Sequence, residues 1–399
     1  MKTTFKKSLS MLLALMMVVA LMLSVTSCGG GGESGGVDPE EGRADFIASL
    51  GGVSETFAGS VSTVEYETAE AAASAYVVEE VVGQKEASIV SAESKGELDS
   101  AAITALNIPE EYSEGILAVE EYEVEYSVLA GGDEAVSGEN TRVTVYIIKY
   151  ESAWKYFTPA PIVGETITKA YYDSVFNSDK FKNCTYENVT SMNMVIDVSA
   201  EGYSESIELT LTLTQRIKFT EGKIYLEQTC ATEANDPTYA DMVDIGDDMT
   251  VYLETVGDEI VCYTLNPGGQ WSRSNIYISG FGDLSQLAPF HDQYIDYSYF
   301  TKADFGFKLA DENADRYVEQ LFSAVSQMAQ SMGGGDLDMD MYAEYYVADG
   351  ALTGMRMDLE LNMEISESGA SMDFVTTANS TIVCSNYGTT VVERPAGIN

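Results

Sequence analysis

The chain has 399 residues, with 21 Lys and Arg against 64 Asp and Glu, for a formal charge of −43. A balance of that sign excludes the basic footprint that nucleic acid needs and disfavours docking flat on anionic lipid headgroups. It confers solubility and repels other acidic surfaces, and it specifies no fold.

Lys2, Lys6 and Lys7 precede an apolar run, SLSMLLALMMVVALML, at residues 8–23. That is the layout of a signal peptide, and the run is shorter than the roughly 20 apolar residues that span a bilayer. Val25, Thr26, Ser27 and Cys28 close it, and GGGGESGG follows. VTSC resembles the lipobox of bacterial lipoprotein signal peptides. The resemblance implies cleavage between Ser27 and Cys28, a diacylglycerol thioether on Cys28, and anchorage at the outer face of the cell membrane. Residues 1–27 are then the signal peptide and 28–44 a lipidated, glycine-rich tether, flexible for lack of side chains. Two acyl chains hold well, since each buried CH₂ contributes about 0.8 kcal/mol. Removal of residues 1–27 takes three lysines and no acids, which moves the charge from −43 to −46.

Residues 45–162 read as a small α+β domain. Thr68–Val82 has a capping Thr68, Glu70 in its first turn and Gly83 beyond its end, which predicts a helix. A shorter helix is expected near Asp99–Leu106, ahead of Pro109. Tyr122, Val124, Tyr126 and Val128 alternate with polar residues, and Thr141–Tyr150 and Ala153–Thr158 supply two more strands. Pro159 and Pro161 mark a boundary. One helix on a small antiparallel sheet is the economical arrangement.

Residues 163–399 begin with a helical pattern at 166–180, in which Tyr171, Tyr172, Val175 and Phe176 share a stripe. The period then switches to two. Met192, Met194, Ile196 and Val198 alternate, as do Ile207, Leu209, Leu211, Leu213, Ile217 and Phe219, with Gln215 the exception. Met249–Leu265 predicts a hairpin turning at Gly257-Asp258. Asp311–Met332 carries Leu321, Phe322, Val325 and Met328 at helical spacing and stops at Gly333–Gly335. Another hairpin turns at Asp349-Gly350 into GMRMDLELNMEIS, residues 354–366. There Met355, Met357, Leu359, Leu361, Met363 and Ile365 take one face of the strand, and Arg356, Asp358, Glu360, Asn362 and Glu364 take the other. Ser366–Ser371 turns this strand into a last one. Strands this long, in consecutive hairpins, predict a large antiparallel sheet that twists and curls.

The order of helix, long meandering strands, helical insertion and closing hairpins, ending in YYVADGALTGMRMDLELNMEIS and NYGTTVVERP, resembles the LolA-like and LppX-like superfamily of bacterial lipoproteins and lipoprotein carriers. The resemblance implies an unclosed β-barrel with helices on its concave face and a lipophilic ligand between sheet and helices. The apolar groove is then expected between Met355, Met357, Leu359, Leu361 and Met363 on the sheet and Leu321, Phe322, Val325 and Met328 on the helix.

Catalytic chemistry finds little support. His291 is the single histidine and no GxSxG elbow occurs, so neither a Ser–His–Asp nor a Cys–His site can be assembled from sequence. Asp336, Asp338 and Asp340 superficially resemble a calcium loop, but the sixth and twelfth positions hold Met341 and Val347. No metal and no cofactor are expected. Cys184, Cys230, Cys262 and Cys384 allow three full pairings, and a chain long enough to build a core favours free thiols. The expectation is a lipid-anchored extracytoplasmic protein that is not an enzyme. Its partners are the membrane, through the anchor, and a lipophilic ligand, with no nucleic acid. The alternative is an acidic interaction module at the cell envelope with no small ligand.

Overall fold

The computed structural model describes residues 43–50, 53, 57–82, 87–128, 140–176, 178–200, 203–236, 248–256, 259–274, 284, 297–319, 334–367 and 370–398. The expected signal peptide, Ser27, Cys28, the glycine tether, His291 and residues 320–333 lie outside them. The chain divides into two bodies. One holds 1–54, 176–294 and 308–399, the other 55–175 and 295–307. Among the described residues no helix is long and apolar enough to cross a membrane.

Helix α1 (Arg43–Ser49) opens the described chain and belongs to the larger body. The smaller body begins with β1 (Ser60–Val61) and α2 (Ala69–Tyr76). Thr68 caps α2, its side chain accepting from the Ala71 amide, and a π-helical turn carries the chain on from Val77 to Val82. β2 (Ala87–Glu97), β3 (Ala118–Val128), β4 (Thr141–Lys149) and β5 (Trp154–Thr158) complete a five-stranded antiparallel sheet, ordered β1-β5-β4-β3-β2. Ala72, Ala73 and Tyr76 of α2 are buried with Tyr122, Val124, Val145, Ile147 and Tyr156 of the sheet. The small alanines let the helix lie close on the pleated surface. Strand β2 is not evident in the sequence, because ASIVSAESKGE is mostly polar and mostly exposed.

Helix α3 (Lys169–Val175) takes its first-turn hydrogen bond from afar, the Ala170 amide donating to Glu80 Oε2 at 2.8 Å. The Tyr156 hydroxyl donates to Glu79 at 2.7 Å, and burial raises the Glu80 carboxyl. Glu80 is thus tied down inside the smaller body as a helix cap, which accounts for its burial without a catalytic role.

In the larger body a short helix α4 (Ser178–Phe181) leads into β6 (Cys184–Ala200), β7 (Tyr203–Thr220), β8 (Lys223–Ala234), β9 (Met249–Val256), β10 (Glu259–Leu265) and β11 (Trp271–Ser274). The chain re-enters the smaller body at 295–307, with β12 (Phe300–Ala303) and the start of β13 (Gly306–Leu309). Phe300 and Phe307 pack edge to face at 5.4 Å there, and Phe307 meets Tyr171 at 5.9 Å. Residues 314–319 are helical, and β14 (Gly334–Ala348), β15 (Ala351–Glu367) and β16 (Ala370–Ser385) follow.

The larger sheet has eleven strands, and those wholly within this body run β11-β10-β9-β8-β7-β6-β16-β15-β14. Every pair along that series is antiparallel. The β14–β15 hairpin turns through Asp349 at φ 51° and Gly350 at φ 64°, the two positive values that a type I′ turn requires. β7 has 18 residues, about 59 Å at the rise of an extended strand. The centre of the sheet is not a hairpin. β6 and β16 pair over sixteen residues, from Thr185↔Ser385 to Ala200↔Ala370, and so join two runs of local hairpins.

Candidate functional site

Register assembles the candidate face from the middle of the sheet outward. On β15, Met355, Met357, Leu359 and Leu361 lie opposite Ile382, Ser380, Ala378 and Thr376 of β16. On the other side Tyr345, Ala343 and Met341 of β14 oppose Met355, Met357 and Leu359. The same face continues through Met192, Met194 and Ile196 of β6 to Leu211, Leu209 and Ile207 of β7. Met355, Met357, Leu359, Leu361 and Met363 are 1, 0, 0, 0 and 4% exposed. All five predicted sheet residues therefore share one buried face. The predicted helix residues Leu321, Phe322, Val325 and Met328 lie outside the described residues. The helical turn 314–319 does meet this face at Tyr345, whose hydroxyl is 3.1 Å from that of Tyr317. The Phe176 ring stands edge-on to Tyr345 at 5.8 Å.

This apolar face carries a polar band. Asn188 donates to Gln215 on the next strand, and Gln215 Nε2 donates to Gln228 Oε1 at 2.7 Å. Gln215, the break in the alternation of β7, is thus one rung of a side-chain amide ladder crossing β6, β7 and β8. Thr190 and Ser380 sit one row along, directly paired in register and each 1% exposed.

Cys184 and Cys384 are also buried on this face, and the four described cysteines are unpaired. Burial pushes the Cys184 thiol up to about 12 and raises Cys384 too, which suppresses the reactive thiolate.

The opposite face of β14 and β15 departs from simple alternation. Period two alone would leave the even positions in water, as holds for exposed Glu364, yet Arg356 is 6% and Asp358 0% exposed. Helix α1 lies on the part of this face around Glu344, Tyr346 and Gly354. Arg43 Nε lies 2.9 and 3.0 Å from the two oxygens of Glu344, whose side chain is 1% exposed. Phe46 packs edge-on to Tyr346 at 5.3 Å, and Leu50 reaches Gly354 so closely that an added Cβ there would sit 2.7 Å from Leu50 Cδ2. The Tyr342 hydroxyl donates to Glu344 at 2.7 Å, and Tyr346 donates to the same carboxylate. Arg356 stands opposite Glu344 in register and reaches Asp358 at 3.1 Å, while Asn379 donates to Asp358 at 2.9 Å. The signal that could have revealed this is RADFIASL, residues 43–50, where Arg43, Phe46 and Leu50 fall on one helical face.

Burial, the largest influence, raises the Asp358 carboxyl above its ordinary value, against the lowering by Asn379 and Arg356. A carboxyl raised in the folded state costs stability while ionised, and that cost is relieved as pH falls through the folded value. Asp358→Asn keeps the amide contact to Asn379, and the Glu344 carboxylate stays opposite Arg356 in register. It is expected to change stability by less than about 1 kcal/mol at pH 7, and to remove the share gained on acidification. Thermal melts at neutral and acid pH check this, and a loss above about 2 kcal/mol at pH 7 would show that the Arg356 pair outweighs desolvation.

No protein-family model matches the chain, and no curated protein does. Among solved structures, a DUF1329 family protein from Desulfovibrio piger is similar at 10% identity and a TM-score of 0.14, over 55% of this chain and 91% of that one. A putative outer membrane lipoprotein-sorting protein domain from Vibrio parahaemolyticus is similar at 10% identity and a TM-score of 0.11, over 47% of this chain and 83% of that one. Likenesses this slight carry no argument about function.

Proposed function

We propose that this chain is a lipid-anchored extracytoplasmic protein that holds a lipophilic molecule against the apolar face of its larger sheet. The observation that supports this reading is the make-up of that face. Met192, Met194, Met341, Met355, Met357, Met363 and Met372 all lie on it, across four adjacent strands. Methionine is flexible and polarizable, and surfaces that must fit more than one shape use it heavily. An occupant that buried a few hundred Å² there would gain about 25 cal/mol per Å², enough to outlast the costs of association. Native mass spectrometry and lipid extraction on protein purified from its natural host test the reading. A lipid that co-purifies reproducibly is expected. Reproducible absence would overturn it and leave the acidic surface, at −43 overall, as the working part.

The anchor has its own test. Cys28→Ser is expected to yield a protein without acyl chains, either uncleaved or released into the medium. Mass spectrometry of the mature N-terminus reads the result. An unlipidated N-terminus beyond residue 28 in the wild type would overturn the anchorage.

A further inference from the structure

We propose that Thr190 and Ser380 form the recognition point for a carbonyl oxygen, so that the molecule held on this face is a neutral acyl ester or amide and not a plain hydrocarbon or a charged lipid. The inference rests on the reading of the apolar face as a lipid site and narrows its ligand class.

The two residues face each other across β6 and β16, on the same side of the sheet as Met192 and Met357. Among the described residues neither hydroxyl has a hydrogen-bond partner, although each residue is 1% exposed. A buried hydroxyl left unpaired is costly, and native cores rarely carry two side by side. Directly opposed residues of an antiparallel pair have Cα atoms about 4.5–5.5 Å apart, so both O–H groups can reach one acceptor. The neighbouring amide ladder does not serve them, because Asn188 and Gln215 pass their amide hydrogens along toward Gln228.

What this point can bind follows from what it lacks. Among the described residues, the positions of this face from Cys184 to Ile196 on β6, and those in register with them on β7, β16 and β15, hold no Lys, Arg, Asp or Glu; Glu205, opposite Val198, and Glu367 lie beyond them near the strand ends. A charged headgroup would find no counter-ion there. Met192, Met194 and Leu211 lie on one side of the hydroxyl pair; on the other the neutral amides Asn188 and Gln215 come first, beside Ile382, and Tyr186 and Ile217 follow. A neutral oxygen acceptor with hydrocarbon running from it along the methionine side fits that order, and an ester or amide at the head of an acyl chain has it. Thr376, 0% exposed and likewise without a partner among the described residues, repeats the feature four residues along β16.

The test uses two fluorescent probes on the mature full-length protein, the methyl ester of a pyrenyl fatty acid and the pyrenyl alkane of equal length. The ester is expected to bind at least fivefold more tightly. Combining Thr190→Val with Ser380→Ala is expected to erase that preference while leaving the alkane's affinity unchanged. A carbonyl-labelled ester on the wild-type protein supplies a second readout independent of the variants, an infrared carbonyl band shifted to lower frequency on binding. If both probes bind equally to the wild type and the band does not move, the carbonyl site is overturned, the lipid reading stands, and the hydroxyls hold a structural water only. If neither probe binds, the lipid reading fails as well. Without ligand the double variant is expected to melt no lower than the wild type, since it removes unpaired hydroxyls. A marked drop in its melting temperature would show that the hydroxyls already have partners and would overturn the proposal.

Discussion

Met357→Glu is expected to lower the thermal midpoint of the protein by about 10 °C or more at pH 7. Met357 is 0% exposed, with Ala343 and Ser380 opposite it on the flanking strands. No cation of the described face is in register to pair with a carboxylate there. An uncompensated buried charge costs about 3–5 kcal/mol, and in a body of this size each kcal/mol moves the midpoint by roughly 2–4 °C. The new carboxyl can escape part of the cost by taking up a proton, so the deficit should shrink on acidification. Met357→Leu is the control and should cost less than about 1.5 kcal/mol, because the volume is nearly kept. If the Glu variant melts within about 2 °C of the wild type at pH 7, the face is open to water at this point and the burial of β15 is overturned. The same variant is expected to lose any co-purifying lipid.

Arg43→Ala should release helix α1 and cost about 2–3 kcal/mol. The estimate sits between two regimes. Glu344 is 1% exposed at its side chain, which favours the large penalty of a broken buried pair, but Arg43 is 23% exposed, so solvent screens part of the interaction. Burial alone would lower the basicity of Arg43, and the bond and charge of Glu344 carry it upward instead. Arg43→Lys keeps the charge and gives up the two-oxygen contact, so an intermediate loss is expected. Hydrogen exchange across residues 43–50 separates local release from global unfolding, and protection there should vanish in the Ala variant. Retained protection with a stability change under about 0.5 kcal/mol would mean that Phe46 on Tyr346 and Leu50 on Gly354 hold the helix without the ion pair.

Much of the architecture was legible along the chain. Strands that bury one face carry a strict period of two, and residues 354–366 show it without a break, so five predicted face residues arrive together in the structure. The Asp349-Gly350 turn was legible because few residues accept two successive positive φ angles. Thr68 and Asp99 marked helix starts because their short side chains satisfy free amides, at Ala71 and Ala102. Strand β2 escaped because an exposed edge strand needs no apolar pattern, and its polar residues pair through the backbone.

Local pattern thus determined which residues form strands and which side of each strand is apolar, since both are set by neighbours two to four positions away. It also determined the alternation that makes the candidate face. Tertiary structure alone decided the rest, because the partners come from far along the chain. β16 closes on β6 across nearly two hundred residues, which is what sets Ser380 beside Thr190. Arg43 reaches Glu344 across 301 positions and gives that buried carboxylate its partner, and Arg356 and Asp358, polar by any local reading, are out of water beside it. A charged residue in a strand is exposed by default, and only a cover supplied from elsewhere, with matching charge, makes its burial affordable.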